Sequence, residues 1–267
     1  MNDVQTKNDH QPFLQAGGHG GNHQLIARGK YLLKPCLSER ERDFYVKIQQ
    51  NKEWIDNLII PRFYGLEFHD IGYGELQYIK MENLMYKLNN PFVLDLKIGT
   101  QTWDPETALW KMNKRLRVDS TSTTESLGFR FSGMQRKIGA EPIFYSRYLC
   151  TEKVNTREAT KDYMKLFFFN GTVYRKELIP FYIGEIKKMI KVMKKKEYKM
   201  FSTSVLFVYD GFSSIEDKKH SIRIIDFAHT WNMKEERCEV DDGFLFGLQS
   251  LKKMLREIYN ELNQMNK

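Results

Sequence analysis

Two runs of the sequence place charged side chains inside otherwise apolar segments. The first, PFVLDLKIG at residues 91–99, carries Asp95 and Lys97 among hydrophobic residues and ends in a glycine. Because side chains two residues apart on a β-strand point to the same face, Asp95 and Lys97 are predicted to enter one site together. Burying such charges is costly unless they are paired or hold an ion. Taken alone, this run is consistent with a structural ion pair as well as with a functional site.

The second run, RIIDFAHT at residues 223–230, presents an acid and then a histidine in the same way. Asp226 is a candidate ligand for Mg²⁺, which prefers carboxylate, phosphate and water oxygens. His229 is expected at the edge of a substrate site. Together and in this order, the two runs predict an ATP-dependent phosphotransferase that uses Mg²⁺.

Several short motifs make a family resemblance specific. Pro91, Asp95, Lys97 and Gly99 match the PxxxDxKxG signature of the inositol polyphosphate kinases, and IDFAH at 225–229 resembles that family's metal-binding segment. Further matches are QAGGH at 15–19, LLK at 32–34, SLGFR at 126–130, GMQ at 133–135, NG at 170–171, SVL at 204–206, YDG at 209–211 and GFLFGL at 243–248. The matches run in order along nearly the whole chain.

The resemblance implies an α+β, two-lobed kinase-like fold with antiparallel sheets and packed helices. We expect a flexible N-terminus over residues 1–11 and an N-terminal lobe over 12–85, with an ATP-contacting loop and lysine. The C-terminal lobe, 86–267, would hold the inositol phosphate site and the metal site. The glycine-rich segment 17–21 lets backbone amides approach phosphates closely, although a plain loop is the simpler interpretation.

The resemblance also implies roles in nucleotide binding. Lys34 matches the family's lysine that contacts the ATP phosphates. The segment after the second strand of a hairpin would be the hinge between the lobes, where the Glu82 carbonyl and the Leu84 amide meet adenine. Asp226 would hold Mg²⁺, supported by Ser204. Asp95 has two candidate roles, contacting the ribose hydroxyls or orienting an acceptor hydroxyl.

A basic helix is predicted directly after the first charged run. Asp104, Pro105 and Glu106 supply a capping residue, a first-turn proline and an acid favoured by the helix dipole, so a helix is expected from Pro105 to about Val118. Its basic residues, spaced three or four apart in several combinations, are Lys111, Lys114, Arg115 and Arg117. Such a stripe is usually a solvated face, but here its position frames the cavity expected around Asp95 and Lys97.

The acceptor site is inferred from the family resemblance. Lys111 matches a family lysine that binds inositol phosphates, and Lys114 occupies a nearby family position. Arg115 and Arg117 are assigned to the same site more loosely, and His229 would lie at the edge of the substrate. Lys97 would bridge the transferred and accepting groups.

Local patterns predict several other elements. The segment 24–34 alternates like one strand, and SERE at 38–41 has the form of a capping box that opens a helix reaching about Asn51. PRFYG at 61–65 begins a β-hairpin whose second strand is 76–81. The regular leucines and isoleucine between 244 and 262 are typical of a helix packed into the core.

Composition excludes some classes of protein. The net charge of +8 from 42 basic and 34 acidic residues favours a polyanionic partner without identifying it. The three cysteines, Cys36, Cys150 and Cys238, are scattered, which argues against a disulfide framework or a zinc site. The polar N-terminus and the lack of a spanning apolar run predict no stable membrane insertion. We expect an intracellular protein, in the cytoplasm, with the nucleus left open.

The acceptor and the class of function keep alternatives. GTQ at 99–101, STSTT at 120–124 and FAH at 227–229 resemble the inositol hexakisphosphate kinases, whereas Trp103 before Asp104 and Pro105 is more like the inositol polyphosphate multikinases. We favour hexakisphosphate as acceptor and a pyrophosphate product. A protein kinase is disfavoured because the chain has no H-R-D-x-x-x-x-N catalytic loop. A polyanion- or phosphoinositide-binding module without turnover stays open, whereas nucleic acid is not expected, since the chain has no RNP-type run or finger spacing.

Overall fold

The computed structural model describes residues 25–72, 74–234 and 242–265. The flexible N-terminus expected at 1–11, the glycine-rich segment 17–21 and Cys238 lie outside these residues. Over the described ranges, the α+β fold with antiparallel sheets and packed helices is confirmed. No helix of these ranges is long and apolar enough to cross a bilayer.

The strands form three antiparallel sheets. In chain order they are β1 (Ile26–Arg28), β2 (Tyr31–Pro35), β3 (Phe63–Asp70), β4 (Glu75–Glu82), β5 (Pro91–Ile98), β6 (Phe129–Lys137), β7 (Pro142–Tyr145), β8 (Tyr198–Met200), β9 (Ser204–Asp210), β10 (His220–Ile225) and β11 (Thr230–Asn232). The first sheet has the order β1-β2-β4-β3, the second β10-β9-β5-β6-β7, and β11 pairs with β8. The division into lobes at residue 85 stays a prediction. Along the chain, the strands of the first sheet come before residue 85 and those of the other two sheets come after it.

Helices surround the second sheet and flank the first. They are α1 (Glu39–Ile48), α2 (Lys52–Asp56), α3 (Leu109–Thr121), α4 (Thr124–Leu127), α5 (Arg147–Lys153), α6 (Arg157–Phe168), α7 (Ile179–Met193) and α8 (Gly243–Gln264), with a 3₁₀ turn at Lys176–Leu178. The core helix predicted for 244–262 is confirmed as α8, where Leu248, Leu251 and Leu255 are fully buried.

The N-terminal strand prediction was wrong in one respect. The segment predicted as one strand forms the hairpin β1–β2, which turns at Gly29 with φ = +56°. Glycine adopts this left-handed conformation without the steric cost that a side chain imposes. On its other edge, β2 pairs with β4, which places Lys34 opposite Ile79. The predicted hairpin of β3 and β4 is confirmed.

The capping motif before α1 is half confirmed. The Glu41 amide donates to the Ser38 hydroxyl at 3.3 Å, as an N-cap requires, but the helix ends at Ile48. The Glu41 carboxylate does not reach back to the cap; it accepts from Lys34 instead. Helix α1 also supports the segment after β10, because the Phe44 ring stacks on Phe227 with centroids 4.0 Å apart.

Helix α3 begins later than the sequence predicted. It starts at Leu109, with Ala108 in the N-cap position, and residues 105–107 form a turn. Asp104 does not cap the helix, because its carboxylate accepts from the Thr107 hydroxyl at 2.5 Å and contacts His229. The helix lies on the surface; Asp119 is its fully buried residue.

Candidate active site

An ion-paired cluster joins the first sheet, helix α1 and the end of β10. The Lys34 ammonium on β2 donates to Glu41 Oε1 and to Asp226 Oδ1, both at 2.7 Å. The same Glu41 oxygen accepts from the Phe227 amide at 3.1 Å. Burial alone would lower the pKa of Lys34, but Asp226 and Glu41 raise it above its ordinary value, so the lysine is firmly protonated.

Asp226 is held in a strained but open position. Its φ of +66° lies in the left-handed region, which aspartate tolerates better than most residues. Withdrawal from water favours its neutral form, yet Lys34 and Lys97 overcome this and lower its pKa. With one oxygen on Lys34 and the side chain 40% exposed, the ionised carboxylate can still accept a ligand.

Strand pairing brings the two charged runs together. In the second sheet, Ser204 on β9 lies opposite Lys97 on one side and Ile225, which precedes Asp226, on the other. Arg130 on β6 lies opposite Lys97 across the other edge of β5. Because neighbouring strands are about 4.8 Å apart, these residues form a row across the sheet at its charged end.

Asp95 is a buried acid that lies beside this row, two residues before Lys97 on β5. It is 5% exposed and, as predicted, lies on the same strand face as Lys97. Its Oδ1 atom and the Ser204 hydroxyl are both buried without a well-formed hydrogen bond among the described residues, although Ser204 lies near enough to help lower the pKa of Asp95. Burial raises the pKa of Asp95 to about 6; Lys97 opposes this shift and Asp226 adds to it. The acid therefore titrates close to neutrality.

Lys97 is the half-buried base of the row. Its ammonium donates to the Ser202 carbonyl oxygen at 2.5 Å, and Ser202 has φ = +52°. Burial lowers the pKa of Lys97 to about 8, against the attraction of Asp226 and Asp95, while Arg130 lowers it further. Residues in such strained backbone conformations cluster at functional sites.

His229 forms a second polar chain beside the row. Its Nδ1 atom lies 2.6 Å from Asp104 Oδ2, and its Nε2 atom lies 3.4 Å from the Arg115 guanidinium. Burial would raise the pKa of Asp104, but hydrogen bonds from His229 and Thr107 lower it below its ordinary range. Arg115 is fixed by donating to the Thr102 carbonyl at 2.5 Å. The chain thus connects α3 to the segment after Asp226.

A cavity of about 810 Å³ adjoins this chain. It is bounded by α1, by the segment that leads into α3 and by residues 228–232, and its lining includes Ala228 and His229, which follow Asp226 in the chain. Lys111 lines it, whereas Lys114 is exposed outside it. The structure therefore brings Lys111, Arg115 and His229 together and leaves Lys114 apart.

The expected hinge residues lie between the two large sheets. Glu82 is the last residue of β4, and its amide donates to the Arg62 carbonyl at 2.8 Å. Leu84 lies in the following turn, which begins where the Asn83 amide donates to the Lys30 carbonyl. Both are placed where a hinge would be, and their adenine contacts stay predictions.

Sequence reasoning missed three residues of the site. Glu41 and Asp104 were interpreted as helix-capping groups, and their spacing gave no hint of distant partners. Arg130 was noted in a matching motif without a role, although it is a charge inside the apolar strand pattern Phe129-Arg-Phe, the same signal that identified Asp95 and Lys97.

The residues present fit a magnesium ion. No group of three or more His, Cys, Asp or Glu side chains among the described residues could hold a metal alone. Mg²⁺ usually takes one or two carboxylates and completes its shell with water and substrate phosphates. The open carboxylate of Asp226 and the unpartnered oxygens of Asp95 and Ser204 supply hard oxygen donors of this kind.

Comparison with known proteins gives concordant similarities. A family model described as inositol polyphosphate kinase matches residues 78–256. Inositol hexakisphosphate kinase 3 of Mus musculus is 28% identical over 205 residues, covering 68% of this chain and 51% of that protein. The chain therefore spans about half the length of that relative. The inositol polyphosphate multikinase of Schizosaccharomyces pombe is 28% identical over 264 residues, covering 90% of this chain and 94% of that protein.

A solved structure shares the fold. It is the inositol phosphate multikinase of S. cerevisiae in complex with ADP and Mn²⁺, with a TM-score of 0.71 at 24% identity, covering 86% of this chain and 99% of that chain. The two-lobed kinase-like fold predicted from the motifs is thereby confirmed.

Proposed function

The chain belongs to the inositol polyphosphate kinase family, and we propose that it transfers the γ-phosphoryl group of ATP to an inositol phosphate. The observation that carries this proposal is the convergence of Lys34, Asp226 and Lys97 at one end of the second sheet. Phosphoryl transfer needs alignment and charge neutralisation more than covalent help from the protein, and this arrangement supplies both.

Each charged residue has a defined task in this proposal. Lys34, protonated throughout the physiological range, would offset the charge of the ATP phosphates. Asp226, with Ser204 and the free oxygen of Asp95, would hold Mg²⁺, which when bound neutralises charge on the transferred phosphoryl group. Lys97 would place its positive charge between the donor and acceptor phosphates.

The acceptor we propose is inositol hexakisphosphate, with an inositol pyrophosphate as product. Its reacting phosphate oxygen is already ionised, so the reaction requires cations more than a base. This choice is supported by the cations in and near the row, which are Lys97, Arg115 and Arg130. Lys111 adds a further cation at the cavity beside His229.

A second acceptor class is favoured by one observation. In this alternative Asp95 would not hold Mg²⁺, and its carboxylate, with a pKa of about 6, is well matched to take a proton from an attacking hydroxyl at neutral pH. That role would suit a multikinase, which phosphorylates hydroxyls of less phosphorylated inositols. The S. pombe multikinase, which aligns along nearly its full length, is consistent with this alternative.

One assay tests these proposals. Purified protein is incubated with Mg-ATP and a panel of inositol phosphates, and the products are separated by charge. We expect a product more acidic than hexakisphosphate; new products from less phosphorylated inositols alone would establish the multikinase alternative. Binding of inositol phosphates without consumption of ATP would instead identify a polyanion-binding module and overturn the kinase proposal.

A further inference from the structure

Arg130 is a buried cation that the described chain leaves without a partner. It is 3% exposed, and its Nε and Nη1 atoms are buried without a hydrogen-bond acceptor. No hydrogen bond or ion pair joins its side chain to any described residue. Removing a charge from water costs several kcal/mol, on the order of the total stability of a small domain, unless a counter-charge is supplied.

The surroundings of Arg130 add positive charge. Lys97 lies directly opposite on β5, and like charges in this cross-strand position repel each other. Burial and the nearby Arg147 and Arg115 lower the pKa of Arg130 to about 10, against the attraction of Asp119 and Asp95. Neither acid lies close enough for an ion pair, and Asp119 is occupied by the Thr102 amide and hydroxyl at 2.9 and 2.8 Å.

A second arginine on the same strand shows the ordinary arrangement. Arg136 is also 3% exposed, but its guanidinium donates to the Tyr145 hydroxyl at 3.1 Å and to the Phe169 carbonyl at 2.6 Å. This arginine joins β6 to β7 and to the end of α6. At equal burial, two guanidinium nitrogens of Arg136 have acceptors, from β7 and from the residue after α6, and only its Nε is unpartnered, whereas no described residue accepts from Arg130.

We propose that Arg130, together with Lys97 and Arg115, forms an anion subsite that binds a phosphate group of the polyphosphorylated acceptor. This inference rests on the proposed function and assigns Arg130 a role in the same site. The acceptor phosphate supplies the counter-charge that the fold omits, and Arg130 binds it beside Lys97, its cross-strand neighbour. The cost of the unpaired arginine in the free protein is recovered when the substrate binds.

The experiment compares Arg130→Gln with Arg136→Gln in the full chain. Affinity for inositol hexakisphosphate is measured by calorimetry without ATP, and the free energy of unfolding is measured in urea without ligand. Since hydrogen bonds to charged groups contribute about ten-fold or more to binding, we expect Arg130→Gln to weaken affinity by at least about ten-fold. We expect its unfolding midpoint to stay unchanged or to rise. Arg136→Gln should show the reverse pattern, with lower stability and unchanged affinity.

Two outcomes overturn the inference. One is unchanged affinity of Arg130→Gln for hexakisphosphate, which would mean that Arg130 does not bind it. The other is a large loss of stability or a failure to fold, which would mean that Arg130 has a partner within the chain. Failure of the proposed function is distinguished by turnover. If the wild-type protein binds hexakisphosphate through Arg130 but does not consume ATP, the subsite stands and the proposed kinase function fails. If the wild-type protein turns over ATP and Arg130→Gln binds hexakisphosphate with unchanged affinity, the kinase function stands and the subsite fails.

Discussion

The two lysines of the site are placed in contrasting electrostatic environments. Lys34 has two carboxylate partners, Glu41 and Asp226, contributed by separate elements. Lys97 has a backbone carbonyl as its hydrogen-bond partner and the unpartnered Arg130 as its cross-strand neighbour. Burial lowers the pKa of both lysines, but the two carboxylates raise that of Lys34 above its ordinary value, whereas that of Lys97 stays lowered to about 8.

This difference separates a preassembled cluster from one that awaits a ligand. The Lys34 cluster fixes the first sheet against α1 and the segment after β10, so under the proposed function it would orient the nucleotide end of the site before any substrate is present. The Lys97–Arg130 pair stores unfavourable charge that an anion can relieve. Natural proteins often accept such costs in stability at functional sites.

The largest effect is expected from Asp226→Asn. Losing the charge at similar volume should lower kcat by about a thousand-fold or more, as loss of a major electrostatic group does. The measurement is turnover at saturating Mg-ATP, with circular dichroism to verify folding.

Asp210→Asn is the matched control for this variant. Asp210 lies at the other end of β9, and its carboxylate accepts from the Asn89 and Asn90 amides. It should lower stability and leave turnover close to normal. Near-normal turnover of Asp226→Asn would refute the metal assignment.

Replacing the two lysines tests the contrast directly. Lys97→Met should lower kcat by about a hundred-fold, because its charge would act on the group being transferred, with stability unchanged or raised. Lys34→Met should raise the ATP KM and lower the free energy of unfolding by about 1–3 kcal/mol, because Glu41, whose side chain is 4% exposed, loses its ion pair. Steady-state kinetics and urea unfolding measure both; equal losses of stability in the two variants would contradict the comparison.

The pH dependence of activity tests Asp95 and Lys97, which lie on the same face of β5. If the proposed roles need Asp95 ionised and Lys97 protonated, kcat/KM should rise through about pH 6 and fall through about pH 8. Activity should change about ten-fold per pH unit beyond these limits. Lys97→Arg should move the alkaline limb upward, and Asp95→Asn should remove the acid limb from any residual activity. The pH values of the two limbs are expected to lie within about one unit of these pKa values. A wild-type profile that is flat between pH 5 and 9 would exclude these roles.

The smallest effect separates two residues of α3. Lys111 lines the cavity beside His229, so Lys111→Ala should raise the acceptor KM about five-fold, the upper range for an exposed charge, and less at high salt. Lys114→Ala should change it less than about two-fold, since Lys114 is exposed outside the cavity. The acceptor KM is measured at two salt concentrations for each variant. An equal rise in both would mean that the substrate extends over the whole basic stripe.

Local rules recovered much of the fold. The same-face placement of Asp95 and Lys97 follows from the two-residue repeat of a strand, and the Ser38 cap and the leucine repeat of α8 follow from helix geometry. Failures occurred where one side chain had competing partners. Asp104 suits an N-cap, but His229 and Thr107 take its carboxylate, so α3 begins at Leu109.

The sequence by itself determined Asp95, Lys97 and Asp226, since each is a charged residue in an apolar pattern, and the family motifs determined the fold class. Tertiary structure decided which charges are paired. The pairing of Lys34 with Asp226 spans 192 residues of chain, and the meeting of Lys97 with Arg130 depends on the register of β5 with β6. Such contacts are set by sheet order and packing, which short-range patterns do not encode, because ion pairing depends on distance in space and not on separation along the chain.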